Sequence, residues 1–174
     1  VALERRYEND PKDAVLLTMQ DQILVEVSSA FKRALEIEGS GRLMDGRVIN
    51  YAGFREGSSR WAFTVHPYGR GAGNCPLIPF RTVAMDRRKV PLGSVAYIDE
   101  TVGMTLPDGT IHDGFWRVED VGGAIKEDRV DLFVGDGNQG AVLRRHGITH
   151  LMPLTVRLVE GPEEVGSCVR QSAR

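Results

Sequence analysis

The sequence predicts a mainly β chain: a closed β-barrel preceded by a long amphipathic helix. Three observations carry this. Apolar residues between Leu16 and Leu35 recur at helical spacing. From Arg47 onward, short β-branched or aromatic runs alternate with turn signals. Helix-like sequence is scarce after Gly39, and many short strands without helices to cover their edges argue for closure into a barrel.

The helix is placed from about Lys12 to Glu38. Asp10 can cap it, Pro11 suits a first helical position, and Asp13 complements the positive end of the dipole. Leu16, Met19, Ile23, Val27, Phe31, Ala34 and Leu35 form the apolar stripe, and Gly39 stops it. Such a helix packs on its own domain, the commoner arrangement, or on a partner. The strand-like runs are Arg47–Tyr51, Trp61–Val65, Thr82–Met85, Val95–Ile98, Phe115–Glu119, Val130–Val134 and Leu154–Val159. Asp108-Gly109 reads as a hairpin turn, and Gly137 to Arg145 as one short helix. The domains read from this are a helical extension over 1–40, the barrel over 41–160 and a tail over 161–174.

The 174 residues suit one domain with a small appendage. They are 41% apolar and 26% charged, with a net charge of -2, so the chain has a core. It lacks the basic excess that a nucleic-acid partner requires. No apolar run reaches the roughly 18 residues of a membrane span. Nothing at the start resembles a signal peptide, a pattern that a removed signal or a trimmed start would both give.

Cys75 and Cys168 form one disulfide or remain two thiols, and spacing alone leaves both open. A bridge closing so long a loop is worth roughly 4–5 kcal/mol on the chain-entropy account. It would tether the tail. There is no CxxC. His146 and His150 are separated by a turn-forming Gly147 and no HExxH exists, so neither a metal nor a cofactor is expected. Gly135-Asp-Gly137-Asn-Gln-Gly140 matches a dinucleotide fingerprint, but too little chain follows for the βα units such a fold needs. Its glycines are read as turns. The run Gly69-Arg-Gly-Ala-Gly73-Asn74 lacks the Lys-Ser/Thr of a phosphate loop and is read as a flexible loop beside a cleft.

The aspartates stand out. Asp120 precedes Val121-Gly122-Gly123-Ala124-Ile125-Lys126, where glycines let backbone N–H groups approach a ligand or a carboxylate. Asp131 lies inside Arg129-Val-Asp-Leu-Phe-Val134, where alternation puts it on the face of Phe133. Taken singly, these are also ordinary turn and surface acids.

Together they carry a resemblance. Pro79-Phe-Arg-Thr-Val-Ala-Met-Asp86 leading to Val90-Pro-Leu-Gly93, then Glu119-Asp120-Val-Gly-Gly-Ala-Ile-Lys126, then Arg129-Val-Asp131-Leu-Phe133, resemble in order the motifs of the three-aspartate (3D) domain of the membrane-bound lytic transglycosylase A family. The likeness is clear from about Leu77 to Val159 and weak from Arg47 to Asn74, where Tyr51 matches a barrel tyrosine. Val121 stands where the family has threonine. The resemblance implies a six-stranded double-psi β-barrel. It implies peptidoglycan as substrate, cleaved between N-acetylmuramic acid and N-acetylglucosamine to leave a 1,6-anhydro end. Asp131 is then the catalytic acid, with Asp120 and Asp86 tuning and orienting it. Tyr51, Gly122, Gly123 and Lys126 are expected at the substrate; Lys126 as a solvated side chain, or paired with an aspartate or a peptide carboxylate. A monomer in the periplasm or cell envelope is expected, its export signal removed or trimmed, with the Cys75–Cys168 bridge favoured by that compartment. Two rivals remain: a hydrolase using an activated water on a similar barrel, and a glycan-binding module that does not cut.

Overall fold

The computed structural model describes residues 1–136 and 139–161. The chain divides into two compact units, Val1–Arg70 and Gly71–Arg174.

The first unit contains β1 (Ala2–Leu3), a 3-10 turn (Glu4–Tyr7), β2 (Ala14–Leu17), β3 (Ile23–Val27), α1 (Ser29–Glu38), β4 (Ser40–Arg42), β5 (Val48–Arg55) and β6 (Ser58–Thr64). Its main sheet runs β1-β4-β5-β6, and β2 and β3 form a separate hairpin. The long N-terminal helix is therefore corrected to a hairpin followed by ten helical residues. Asp10-Pro11 starts no helix. Ser28 does, accepting the Phe31 N–H at 3.1 Å, while Asp13 accepts the Ser29 N–H at 2.7 Å from outside it.

The reason is β-branched density. Val15, Ile23, Val25 and Val27 flank a polar turn in which Thr18 Oγ1 accepts the N–H groups of Gln20 and Gln22. Leu16 and Val27 sit on the buried side of the hairpin, and Phe31 and Leu35 on the buried side of α1. All four are fully buried, so two elements facing one core imitated a single helical stripe. Gly39 ends α1 as expected, in a left-handed conformation with its N–H on Leu35 O.

The second unit contains β7 (Thr82–Ala84), β8 (Val95–Ile98), a 3-10 turn (Asp99–Thr101), β9 (Phe115–Asp120), β10 (Asp131–Leu132), α2 (Ala141–Arg145) and β11 (Val156–Glu160). The sheet order is β10-β7-β9-β8-β11, with β7 and β9 parallel and the other pairs antiparallel. Every strand-like run of the sequence falls on one of the strands β5 to β11. The closed barrel, however, is not found among the described residues, which form open sheets. β10 is only two residues long and β11 is exposed along its length, so no ladder joins the two edges. Asp108-Gly109 does turn a hairpin, with the Leu106 N–H on Thr110 O. The short helix begins at Ala141; Gly137 and Asn138 of the glycine motif, and the tail with Cys168, lie outside the described residues.

The core of this unit is built on Val83, Met85, Ile98, Met104, Trp116 and Val118. His112 is part of it. Its ring stacks on Trp116 at 4.8 Å and its Nδ1 accepts the Gly114 N–H at 2.9 Å. That leaves Nε2 to donate to Phe80 O at 2.6 Å, the neutral tautomer. Burial holds its pKa below the usual histidine range.

Candidate active site

Strand β7, between β10 and β9, brings two of the three aspartates to its two sides. Ala84 pairs with Asp131 of β10 on one side and with Asp120 of β9 on the other. Cross-strand partners point to the same face, so both carboxylates flank one methyl group, with Cα atoms two strand spacings, about 10 Å, apart. A β-bulge sets this register. Val83 pairs with Val118 and Ala84 with Asp120, so Glu119 is the extra residue; without it Glu119 would face Ala84.

Asp120 is held in a half-buried cradle. Its Oδ1 accepts the Ala72 N–H at 3.0 Å, and the neighbouring Val121 amide also favours its charged form. Burial, and to a lesser degree the charge of Asp131, push its pKa above the ordinary carboxylate value despite those donors. The glycine run explains how Ala72 arrives. A Cβ on Gly71 would lie 2.3 Å from Glu119 O, so only glycine lets this loop press on β9. Gly73 N–H completes the seam on Glu119 O at 3.1 Å.

Asp86 does something different. It is 3% exposed and follows β7 by two residues. Arg88 Nε donates to both its oxygens at 3.0 and 3.1 Å, and the N–H groups of Arg88 and Glu127 add two more bonds at 3.0 Å. The Arg88 guanidinium, then these amides, hold its carboxyl well below the usual range. Arg88 also reaches Glu127 Oε1 at 3.1 Å, and Lys89 bonds to Asp128 at 2.9 Å. Asp86 is thus a permanent anion that pins the β9–β10 loop, which carries Asp120 at one end and Asp131 at the other.

Asp131 is exposed and lines a groove of about 620 Å³, together with Asp128, Arg129, Arg144, His150 and Leu154. Asp86 and Asp120 do not line it. Gly122 makes the turn after β9, where a Cβ would meet Ile125 Cγ1 at 2.5 Å, whereas Gly123 has open space. Lys126 is exposed and pairs with no carboxylate among the described residues. Tyr51 lies in the first unit, 44% exposed on β5, with its ring edge-on to Trp61 at 6.0 Å. Sequence reasoning missed the Ala72 amide, the Glu119 bulge, Ala84 and the Arg88–Glu127 clamp. Only the closely spaced glycines of 69–73 hinted at any of these, as a place of close backbone approach.

The second unit thus places two carboxylates on either side of one strand and a third where it anchors their loop. Residues 81–150 match the 3D domain, a stretch that contains all three aspartates. Among solved structures, the chain is similar to MltA of Escherichia coli with bound chitohexaose, at 19% identity and a TM-score of 0.57, covering 91% of this chain and 60% of that one. It is also similar to a membrane-bound lytic murein transglycosylase of Agrobacterium tumefaciens (16%, TM-score 0.53, 79% and 51%). MltA of Neisseria gonorrhoeae is a third (19%, TM-score 0.53, 82% and 49%). These likenesses establish the fold, and the chain spans about half the length of those proteins. No curated relative matches it.

Proposed function

We propose that this protein is a peptidoglycan lytic transglycosylase of the cell envelope, with Asp131 as its acid and then its base. The observation that carries the reading is the pairing of Asp120 and Asp131 across Ala84, with Asp131 at the groove. An isolated aspartate is ionised at neutral pH and cannot protonate a leaving group. Burial first, and then the charge of Asp131, raise the pKa of Asp120, and in this proposal the pair enters the reaction carrying one proton.

Asp131 gives that proton to the N-acetylglucosamine O4 as the bond from C1 of N-acetylmuramic acid breaks through an oxocarbenium-like state. The muramyl 6-hydroxyl then bonds to C1, and its proton returns to Asp131. Atoms balance without water, and the product ends in a 1,6-anhydro ring. Asp86, fixed as an anion, positions the loop and takes no proton. Tyr51, Gly122, Gly123 and Lys126 are proposed contacts along the glycan. The Cys75–Cys168 bridge is proposed as a tether for the tail.

The test is release of soluble fragments from purified murein by the wild type and by Asp131→Asn. The variant should lose at least about 10³-fold of the rate while keeping the wild-type Tm. Full activity in Asp131→Asn excludes the assignment.

A further inference from the structure

We propose that the groove beside Asp131 recognises a carboxylate on the glycan, through Arg129 and Arg144. The inference rests on the lytic reading for the identity of the polymer. It stands on how the basic side chains of the second unit are used. Arg81, Arg88, Lys89, Arg117 and Arg157 are each matched to a carboxylate: Asp113, Asp86, Asp128, Glu119 and Asp99. Arg87, Lys126, Arg129, Arg144 and Arg145 pair with no carboxylate among the described residues, and of these Arg129 and Arg144 line the groove. Asp128, which shares the lining, is already engaged by Lys89.

Arg129 is also pre-oriented. Its Nη1 donates to Ala124 O at 3.3 Å, which restrains the side chain and leaves its other N–H groups for a ligand. It stands two residues before Asp131, at the end of a turn that its own N–H closes on Lys126 O at 3.2 Å. Arg144, on α2, also lines the groove, with Nη1 lying 3.8 Å from where a Gly140 Cβ would be. Two unmatched guanidinium forks suit a planar carboxylate, which each can bind with two parallel N–H···O bonds. A neutral sugar gives them nothing of the kind. In murein the shared chemistry has two sources: the lactyl carboxylate of muramic acid and the free carboxylates of a stem peptide.

Three polymers test this: intact murein, murein whose carboxylates have been converted to carboxamides, and murein stripped of peptides so that only lactyl carboxylates remain. For the wild type, amidation should raise KM about tenfold to a hundredfold with kcat little changed, the loss of one or two charged hydrogen bonds. Arg129→Gln and Arg144→Gln should shrink that ratio towards one, and Arg144→Lys should restore part of it. A preference kept on the stripped polymer assigns the lactyl group, and a preference seen only on intact murein assigns the peptide. A wild type indifferent to amidation overturns the proposal, as do variants that keep the full ratio. Equilibrium binding of soluble muropeptides and their amides is read in parallel. If no polymer is cut, the lytic reading fails, while the binding ratio still judges the arginines.

Discussion

Gly71→Ala probes the seam that holds Asp120. The added Cβ would stand 2.3 Å from Glu119 O and 3.1 Å from Leu77 Cδ2. An ordinary carbon–oxygen contact is about 1 Å longer than the first of these, so the loop or the end of β9 must move by that much. The Ala72 N–H···Asp120 bond of 3.0 Å and the Gly73 N–H···Glu119 bond of 3.1 Å then both stretch beyond hydrogen-bonding reach. A bond to a carboxylate is worth about 1.5–3 kcal/mol and a backbone bond about 1 kcal/mol, so the loss should be about 2–4 kcal/mol. In a chain of this size that lowers Tm by about 5–15 °C. Displacing Asp120 by about 1 Å should slow fragment release about 10²-fold. Without the Ala72 donor, which lowers the Asp120 pKa, the alkaline limb of the pH–rate profile should also move to higher pH. Thermal unfolding followed by circular dichroism and clearing of a murein suspension read all three. A variant with the Tm, rate and pH profile of the wild type refutes the cradle.

Other substitutions test other parts of the account. Asp120→Asn should be more stable than the wild type at pH 7. The native pKa of Asp120 lies above its unfolded value, so its contribution is greatest below the unfolded pKa and is lost as pH rises through the folded one. The stability gap should close towards pH 4 in denaturant titrations, while activity falls. His112 behaves oppositely: its native pKa is lowered, so stability should fall as pH drops below about 6.5, and His112→Phe should flatten that slope. Ala84→Leu would wedge a branched chain between Asp120 and Asp131; it should cost about 1–3 kcal/mol and lower the rate more than tenfold, and an unchanged rate would separate chemistry from that pairing.

The strands β5 to β11 were legible because each is a compact β-branched or aromatic run bounded by turn residues. Leu16, Val27, Phe31 and Leu35 misled because a hairpin and a helix covering one core also place apolar residues at intervals of three to four. The open sheet was not legible, since closure depends on the length of β10 and the exposure of β11 rather than on any local pattern. All three aspartates were visible through their motifs. Their division of labour was not. That Asp86 is a buried anion depends on Arg88 and on the Glu127 amide, forty-one positions away in sequence. That Asp120 is desolvated depends on a bulge at Glu119 and on Gly71, neither of which announces its partner.

The central claim is that the sugar's own hydroxyl, not water, captures the cleaved carbon. Digestion of murein in water enriched in heavy oxygen, followed by mass analysis of the new chain ends, tests it most directly. The account predicts anhydro ends, lighter than hydrolysed ends by one water and free of the heavy isotope, and none at all from Asp131→Asn. New reducing ends carrying heavy oxygen would contradict it.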